Sequence, residues 1–367
     1  MSNVYMIDFR AQNERESTIE KLKKLFSQKE FQKIYKKDDL TAIKLHFGEK
    51  GNDGFISPVY VRQGVDFIKK CGAKPFLTDT NTLYKGSRAN AIDHTITAIE
   101  HGFDYAVVNA PIIIADGLNS QDYEEVPITQ KHFDHVKIAS AIIAANSMLV
   151  LSHFKCHEMA GFGGAIKNLA MGCAPVVGKM AQHSARPLVR TSKCQACGAC
   201  VETCDWDAYT IEENLAKFDS VKCVGCGKCL NICPHRAIVL NWDTDISEFI
   251  ERMTEYAYGA IKNKQNKCLY INFINRVTPG CDCYGFSDAS IVPDIGILAS
   301  TDPVAIDQAA MDLVNQAVRL SNSVLPETIK PGEDKFRAIY PYIDSTIQLQ
   351  YGEKIGLGTR QYSLIRV

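Results

Sequence analysis

Eight cysteines fall into two copies of one pattern, Cys194-x2-Cys197-x2-Cys200-x3-Cys204 and then Cys223-x2-Cys226-x2-Cys229-x3-Cys233-Pro234. Two residues between cysteines on a tight turn let three thiolates face three corners of one cubane. The fourth, beyond the turn, points to the other cluster. The spacing therefore predicts two [4Fe–4S] clusters. One would be held by Cys194, Cys197, Cys200 and Cys233, the other by Cys223, Cys226, Cys229 and Cys204. Gly198, Gly225 and Gly227 lie among these ligands, where the backbone must approach sulfide closely and tolerate positive φ. Structural zinc in four-cysteine sites is the alternative, and two complete repeats favour clusters over it.

The segment resembles bacterial two-cluster ferredoxins. It departs from them after Cys204, where Asp205 stands in place of proline. That leaves an extra backbone N–H and a carboxylate near one cluster, two opposing influences on its potential.

A second constellation precedes the cysteines. The stretch from Ser152 to Asn168 contains His153, Lys155, Cys156, His157, Gly161, Gly163, Gly164 and Lys167, and His183 follows shortly after. It leaves a buried strand and enters a helix through a glycine-rich turn, the place where open α/β sheets bind ligands. Gly161, Gly163 and Gly164 would let a ligand approach the backbone, with His153 beside them. Lys167, His157 and His183 are the candidate catalytic residues. The Gly-Lys-Ser/Thr ending of a Walker A loop is absent.

The third is Pro279-Gly280-Cys281-Asp282-Cys283. An extended C-x-C projects both thiols to one side, because side chains alternate with a period of two. Cys281 and Cys283 then form a soft-metal corner to which Cys156 or Cys173 adds a third ligand. A redox-active dithiol, or two buried thiols packing as small hydrophobes, are the other readings.

As a whole the chain resembles a bacterial and archaeal family of iron–sulfur proteins, a domain of unknown function often fused to a ferredoxin. The match rests on His153-Phe154-Lys155, Gly163-Gly164-Ala165-Ile166-Lys167-Asn168, the Pro279–Cys283 motif, Asp294-Ile295-Gly296-Ile297 and Asp302-Pro303-Val304-Ala305. The run His157-x3-Gly161-x-Gly163-Gly164-x2-Lys167, with His183 downstream, is also distantly similar to the nickel-pincer lactate racemase family. That similarity implies Lys167 as a cofactor tether, with His157 and His183 ligating nickel or handling a proton. Where that family has a Gly-Thr-His-Arg turn, this chain has Gly86-Ser87-Arg88.

The elements that must position these residues alternate strand and helix. Val4–Phe9, Leu40–Phe47, Lys74–Thr78, Ser147–His153, Cys268–Ile274 and Ile295–Leu298 read as strands, and Tyr105–Ile114 as a strand or strand pair. Ser17–Phe26, the stretch from Ser57 to Lys70, Asn90–His101, Phe133–Ala145, Ser247–Ile261 and Val304–Val318 read as helices. The fold class is α/β, a mostly parallel sheet in two sublobes about a cleft, with the ferredoxin inserted. Residues 1–187 and 242–367 form the two parts of the α/β domain, and 188–241 form the insertion.

With 367 residues, 46% hydrophobic residues and a net charge of −1, the chain buries a full core and offers no global field for nucleic acid or membrane. No charged n-region and apolar h-region open the sequence, and fourteen cysteines without a secretory signal point to metal ligation in the cytoplasm. The leading expectation is an iron–sulfur oxidoreductase or electron-transfer protein of anaerobic metabolism. It would exchange electrons with a soluble donor or acceptor protein and act on a small-molecule ligand, a third metal or a cleft-bound cofactor. The alternatives are a nickel-pincer-type enzyme with structural clusters, and a metal or cluster carrier that activates another protein.

Overall fold

The computed structural model describes residues 1–223, 225, 227–241 and 245–367. Seven strands form the main sheet: β1 (Ser2–Ile7), β2 (Leu40–Lys44), β3 (Lys74–Thr78), β4 (Ser147–His153), β5 (Cys268–Ile274), β6 (Gly296–Ser300) and β7 (Tyr362–Arg366). Their order is β7-β1-β6-β5-β4-β2-β3. β6 runs antiparallel to both neighbours, and the other pairings are parallel. The protein is thus α/β with a mostly parallel sheet. The two expected sublobes share that one sheet, since β5 and β6 from the second half of the chain lie between β1 and β4.

The central strands are apolar on both faces, as strands covered by helices on both sides must be. Along β4, Met148 and Val150 enter one core while Leu149 and Leu151 enter the other. Each such side chain contributes about 1.5–3 kcal/mol on burial. The principal helices are α1 (Thr18–Phe26), α2 (Pro58–Lys70), α3 (Ala91–Glu100), α4 (Ala165–Cys173), α5 (Val176–His183), α6 (Ile246–Ile261), α7 (Pro303–Gln316) and α8 (Ile347–Lys354). Capping sets several starts: the Ser17 hydroxyl accepts from the Glu20 amide, and Asp302 accepts from Val304 and Ala305.

Two expectations are corrected. Phe133–Ala145 is not one helix. His135–Ala139 is a strand paired antiparallel with Tyr123–Pro127, and only Ser140–Ala144 is helical. Val136 and Ile138 point inward at a period of two, and that pattern outweighs the run of alanines beyond them. The strand expected from Tyr105 begins instead as a short helix, Tyr105–Val108, because Asp104 caps the Ala106 and Val107 amides.

The stretch from Arg186 to Asn241 adds no strand to the main sheet. It forms two small antiparallel pairs, Arg186–Val189 with Ile238–Asn241 and Tyr209–Glu212 with Leu215–Phe218, over a core of its own. Among the described residues, no helix is long and apolar enough to cross a membrane.

Candidate functional site

Parallel strands β2, β3, β4 and β5 end at one edge of the sheet, and their last residues or followers supply Lys44, Asp79 and His153. A cavity of about 450 Å³ lies there, large enough for a small organic ligand. Its walls include Lys44, Arg88, Lys155, Lys167 and Lys179, with Cys281 and Cys283 at one side.

His153 does not present its ring to a ligand. Nδ1 lies 2.9 Å from the Asp282 carboxylate and Nε2 lies 2.9 Å from the Asn275 carbonyl, so both nitrogens are committed. Lys155 meets the same carboxylate at 2.8 Å. Burial alone would raise the Asp282 carboxyl, but His153 and Lys155 outweigh it and hold it well below the usual range. The sequence reading missed this anchor, because its partners lie far apart in the chain.

Asp282 thereby fixes a turn rather than the expected extended C-x-C. The Tyr284 amide donates to the Cys281 carbonyl at 3.0 Å, so both cysteines belong to one β-turn. His157, Cys281 and Cys283 offer ligand atoms within 4.8 Å of one another, a candidate metal-binding group. The third member is His157, not Cys156 or Cys173. Cys156 alternates away from Lys155 and His157 into the core, and burial pushes the Cys173 thiol up to about 11. Lys167 Nζ lies 3.8 Å from Cys281 Sγ and has no carboxylate partner among the described residues. The hydrogen bond from Cys283 outweighs burial and, with Lys167 and His157, draws the Cys281 thiol well below its ordinary range. That same hydrogen bond, with burial, raises Cys283.

The glycine-rich turn serves the fold more than a ligand. A Cβ on Gly161, at φ +77°, would meet Ser345 Cβ at 2.3 Å, and one on Gly164 would meet Asp307 Oδ1 at 2.3 Å. The Asp307 carboxylate accepts from the Ala165 amide at 2.7 Å and the Ile166 amide at 2.9 Å, so the N-terminus of α4 already holds an anion. Gly163 alone of the three leaves open space, with only the stems of Lys167 and Lys155 within 4 Å.

The opposite wall is a charge network that sequence reasoning left unassigned. Lys44 pairs with Asp79 at 2.9 Å, and Arg88 bridges Asp79 and Glu49. Lys179 donates to the Thr80 hydroxyl and to the carbonyls of Asn81 and Ala174, and burial pushes it down to about 8. His183 lines the cavity, stacked on Phe249 at 4.5 Å, and burial pushes it down to about 3, which keeps it neutral. The available signal was a polar residue at each parallel strand's carboxyl end.

Cys194, Cys197, Cys200 and Cys233 line one small cavity, and Cys204, Cys223 and Cys229 line another. Cys226 lies outside the described residues. Gly198 and Gly227, at φ +79° and +76°, start the two short helices beside these cavities. Asp205, the departure from the ferredoxin pattern, forms an ion pair with Lys228. Helix α5 stands between this segment and the large cavity. Its Lys179 and His183 face the cavity, while Val176 and Met180 lie against Gly227, with Met180 also near Gly225. Leu83 lines the cavity and also packs on the core around Cys200, Cys229 and Cys233.

A family model described as a domain of unknown function, DUF362, matches residues 41–312. No curated protein matches the sequence. Among solved structures, the lactate racemase apoprotein from Thermoanaerobacterium thermosaccharolyticum is similar at 13% identity and a TM-score of 0.39, over 75% of this chain and 51% of that one. A structural-genomics crystal structure of a Thermotoga maritima protein is similar at 10% identity and a TM-score of 0.37, over 76% of this chain and 55% of that one. The chain spans about half the length of these structures.

Proposed function

The chain belongs to the DUF362 family, whose description names no reaction, and from its site we propose that it is an iron–sulfur oxidoreductase whose cysteine module serves a ligand in the neighbouring cavity. In this reading residues 188–241 are a two-cluster module inserted between the two parts of an α/β domain, 1–187 and 242–367.

The donor set fits two [4Fe–4S] clusters. Of the described cysteines, four line one small cavity and three line another, and backbone amides donate to the sulfurs. Ala216 donates to Cys194 at 3.4 Å, Ala237 to Cys233 at 3.3 Å, Ala208 to Cys204 at 3.4 Å and Gly225 to Cys223 at 3.4 Å. Such N–H···S bonds stabilise charge on sulfur and tune a cluster's potential. When bound, each cluster supplies one electron at a time. The chain's own part is to hold the ligand against Lys167, His157, Cys281 and Cys283, and to keep water from the far wall through α5 and Phe249.

The observation that carries this reading is helix α5, a wall common to the cysteine segment and the cavity. A helix with its side chains is about 10–12 Å across, so the two sites are near neighbours. A soluble electron donor or acceptor protein would meet the outer face of the module.

The test is anaerobic purification with iron, sulfide, nickel and zinc assays, electron paramagnetic resonance of the dithionite-reduced protein, and intact mass. About eight irons and eight sulfides per chain are expected, with Cys194→Ser and Cys223→Ser each removing a different signal. Zinc in place of iron overturns the reading, and a mass adduct on Lys167 replaces it with cofactor chemistry at that lysine.

A further inference from the structure

We propose that Cys281 and Cys283 are a redox dithiol that opens and closes a disulfide against a small disulfide substrate, with His157 as hydrogen-bond donor to the reacting sulfurs. The proposal deepens the oxidoreductase reading and rests on it for the electrons that reopen the bond.

The tautomer of His157 separates a dithiol from a metal corner. Its Nδ1 accepts from the Met159 amide at 3.1 Å and the Ala160 amide at 3.2 Å, so the ring proton of the neutral imidazole sits on Nε2. A protonated Nε2 has no lone pair to give a metal ion, but it donates well to a sulfur, and the ring lies with a nitrogen within 4.8 Å of both cysteine sulfurs. A metal-ligating histidine carries its proton on the other nitrogen and donates it to an oxygen. Here two amide donors hold the position where that oxygen would stand.

The neighbours of the pair agree. The turn closed by Tyr284 brings the sulfurs of Cys281 and Cys283 within 4.8 Å of each other, and a disulfide forms between sulfurs that such a turn can close. Lys167 Nζ, 3.8 Å from Cys281 Sγ, stabilises a thiolate and repels a cation placed at the same point. Glu158, partly open to solvent, has Oε1 3.7 Å from His157 Nε2, on the side of the ring that carries the proton. Cys281 is 3% exposed, so a substrate reaches it through the cavity. A small-molecule disulfide fits that route and a folded protein does not.

The Cys281 thiolate attacks one sulfur of R–S–S–R′, breaking the S–S bond and releasing R′–S⁻, which accepts a hydrogen bond from His157 Nε2–H and takes the Cys283 proton. Cys283, now a thiolate, then displaces R–S⁻ and closes the Cys281–Cys283 bond. The substrate gains two electrons, the dithiol loses two, and the one thiol proton leaves on R′–SH. Two electrons, which the iron–sulfur centres would supply, and one proton would restore the thiolate and thiol.

The experiment treats the full chain, purified anaerobically with its iron, with 2-hydroxyethyl disulfide and then alkylates it. The tryptic peptide that follows Arg276 is weighed. The expected result is a peptide lighter by two hydrogens that resists alkylation at both cysteines and becomes alkylatable after dithionite. His157→Leu should slow closure about 100-fold with iron content unchanged. A metal ion bound in stoichiometric amount and lost in both Cys281→Ser and Cys283→Ser overturns the proposal, as does a pair that stays alkylatable while the clusters are intact. Closure of the disulfide in a protein without iron would leave the dithiol standing and remove the oxidoreductase reading instead.

Discussion

The Asp282 carboxylate and the imidazole of His153 meet at 2.9 Å although 129 positions separate them in the chain. This contact ties the cysteine turn to the carboxyl end of β4. Both groups are buried and Lys155 shares the carboxylate, so removing the charge leaves two uncompensated partners. Asp282→Asn should cost about 3–5 kcal/mol. It should also make Cys281 and Cys283 alkylate faster, because their turn loses its anchor. Thermal unfolding together with alkylation kinetics checks both effects.

Two adjacent glycines should respond differently to the same change. Gly164→Ala places a methyl 2.3 Å from Asp307 Oδ1, and overpacking of that kind typically costs about 1–3 kcal/mol. At Gly163 the nearest atom is Lys167 Cδ at 3.3 Å, the stem of a flexible side chain that can turn aside. Gly163→Ala should change stability by less than about 1 kcal/mol while weakening ligand binding near Lys167. Denaturation curves and ligand titration of the two variants separate the cases.

Lys44 and Asp79 form a buried pair at 2.9 Å. Lys44→Met should destabilise by about 3 kcal/mol, the low end for a broken buried pair, because Arg88 remains near Asp79. Lys44→Met with Asp79→Asn should cost less than the sum of the single changes, and a double-mutant cycle measures the difference.

Burial pushes the Asp307 carboxyl up to about 6, against the pull of the Ile166, Asn272 and Ala165 hydrogen bonds. A carboxyl whose folded pKa lies above its unfolded value of about 3.9 binds its proton more tightly in the native state. Its stabilising contribution is full below pH ~4 and is lost as pH rises through about 6. The shift corresponds to about 3 kcal/mol. Wild type should therefore lose that much more stability between pH 4 and 7 than Asp307→Asn, which has no such proton to release. Unfolding midpoints of both proteins across that range test it.

The sheet could be read from the chain where strands were long and apolar. Lys74–Thr78, Ser147–His153 and Cys268–Ile274 have the bounds expected of them, since a strand buried on both faces must be a continuous apolar run. The His135–Ala139 strand was hidden by the alanines beyond it, whose helical propensity dominates a single-sequence reading. At the site, Cys281, Cys283, His157 and Lys167 stood out by residue type, and the structure brings them together around one side of a cavity. Lys44, Arg88 and Asp282 did not stand out, because a charge in a strand end or loop looks solvated until its distant partner is known. Gly164 was misread for the same reason. A glycine permits a close approach, but its sequence neighbours do not say whether a ligand or Asp307 makes it.

Arg186 and Asn241 are direct partners in a two-stranded antiparallel pair. Neighbouring strands lie about 4.8 Å apart, so the chain leaves the α/β frame and returns to it at almost the same point. A segment tethered in this way is a cassette. It can be gained, lost or replaced during evolution by a short turn, with the seven-stranded sheet and the charge network around Lys44 left as they are. Its bearing surface on α5 includes Val176 and Met180 against two glycines. Without the cassette the sheet would stand as it is while α5 and Leu83 lost their cover, and chimeras that graft other modules between these two residues have a defined seam.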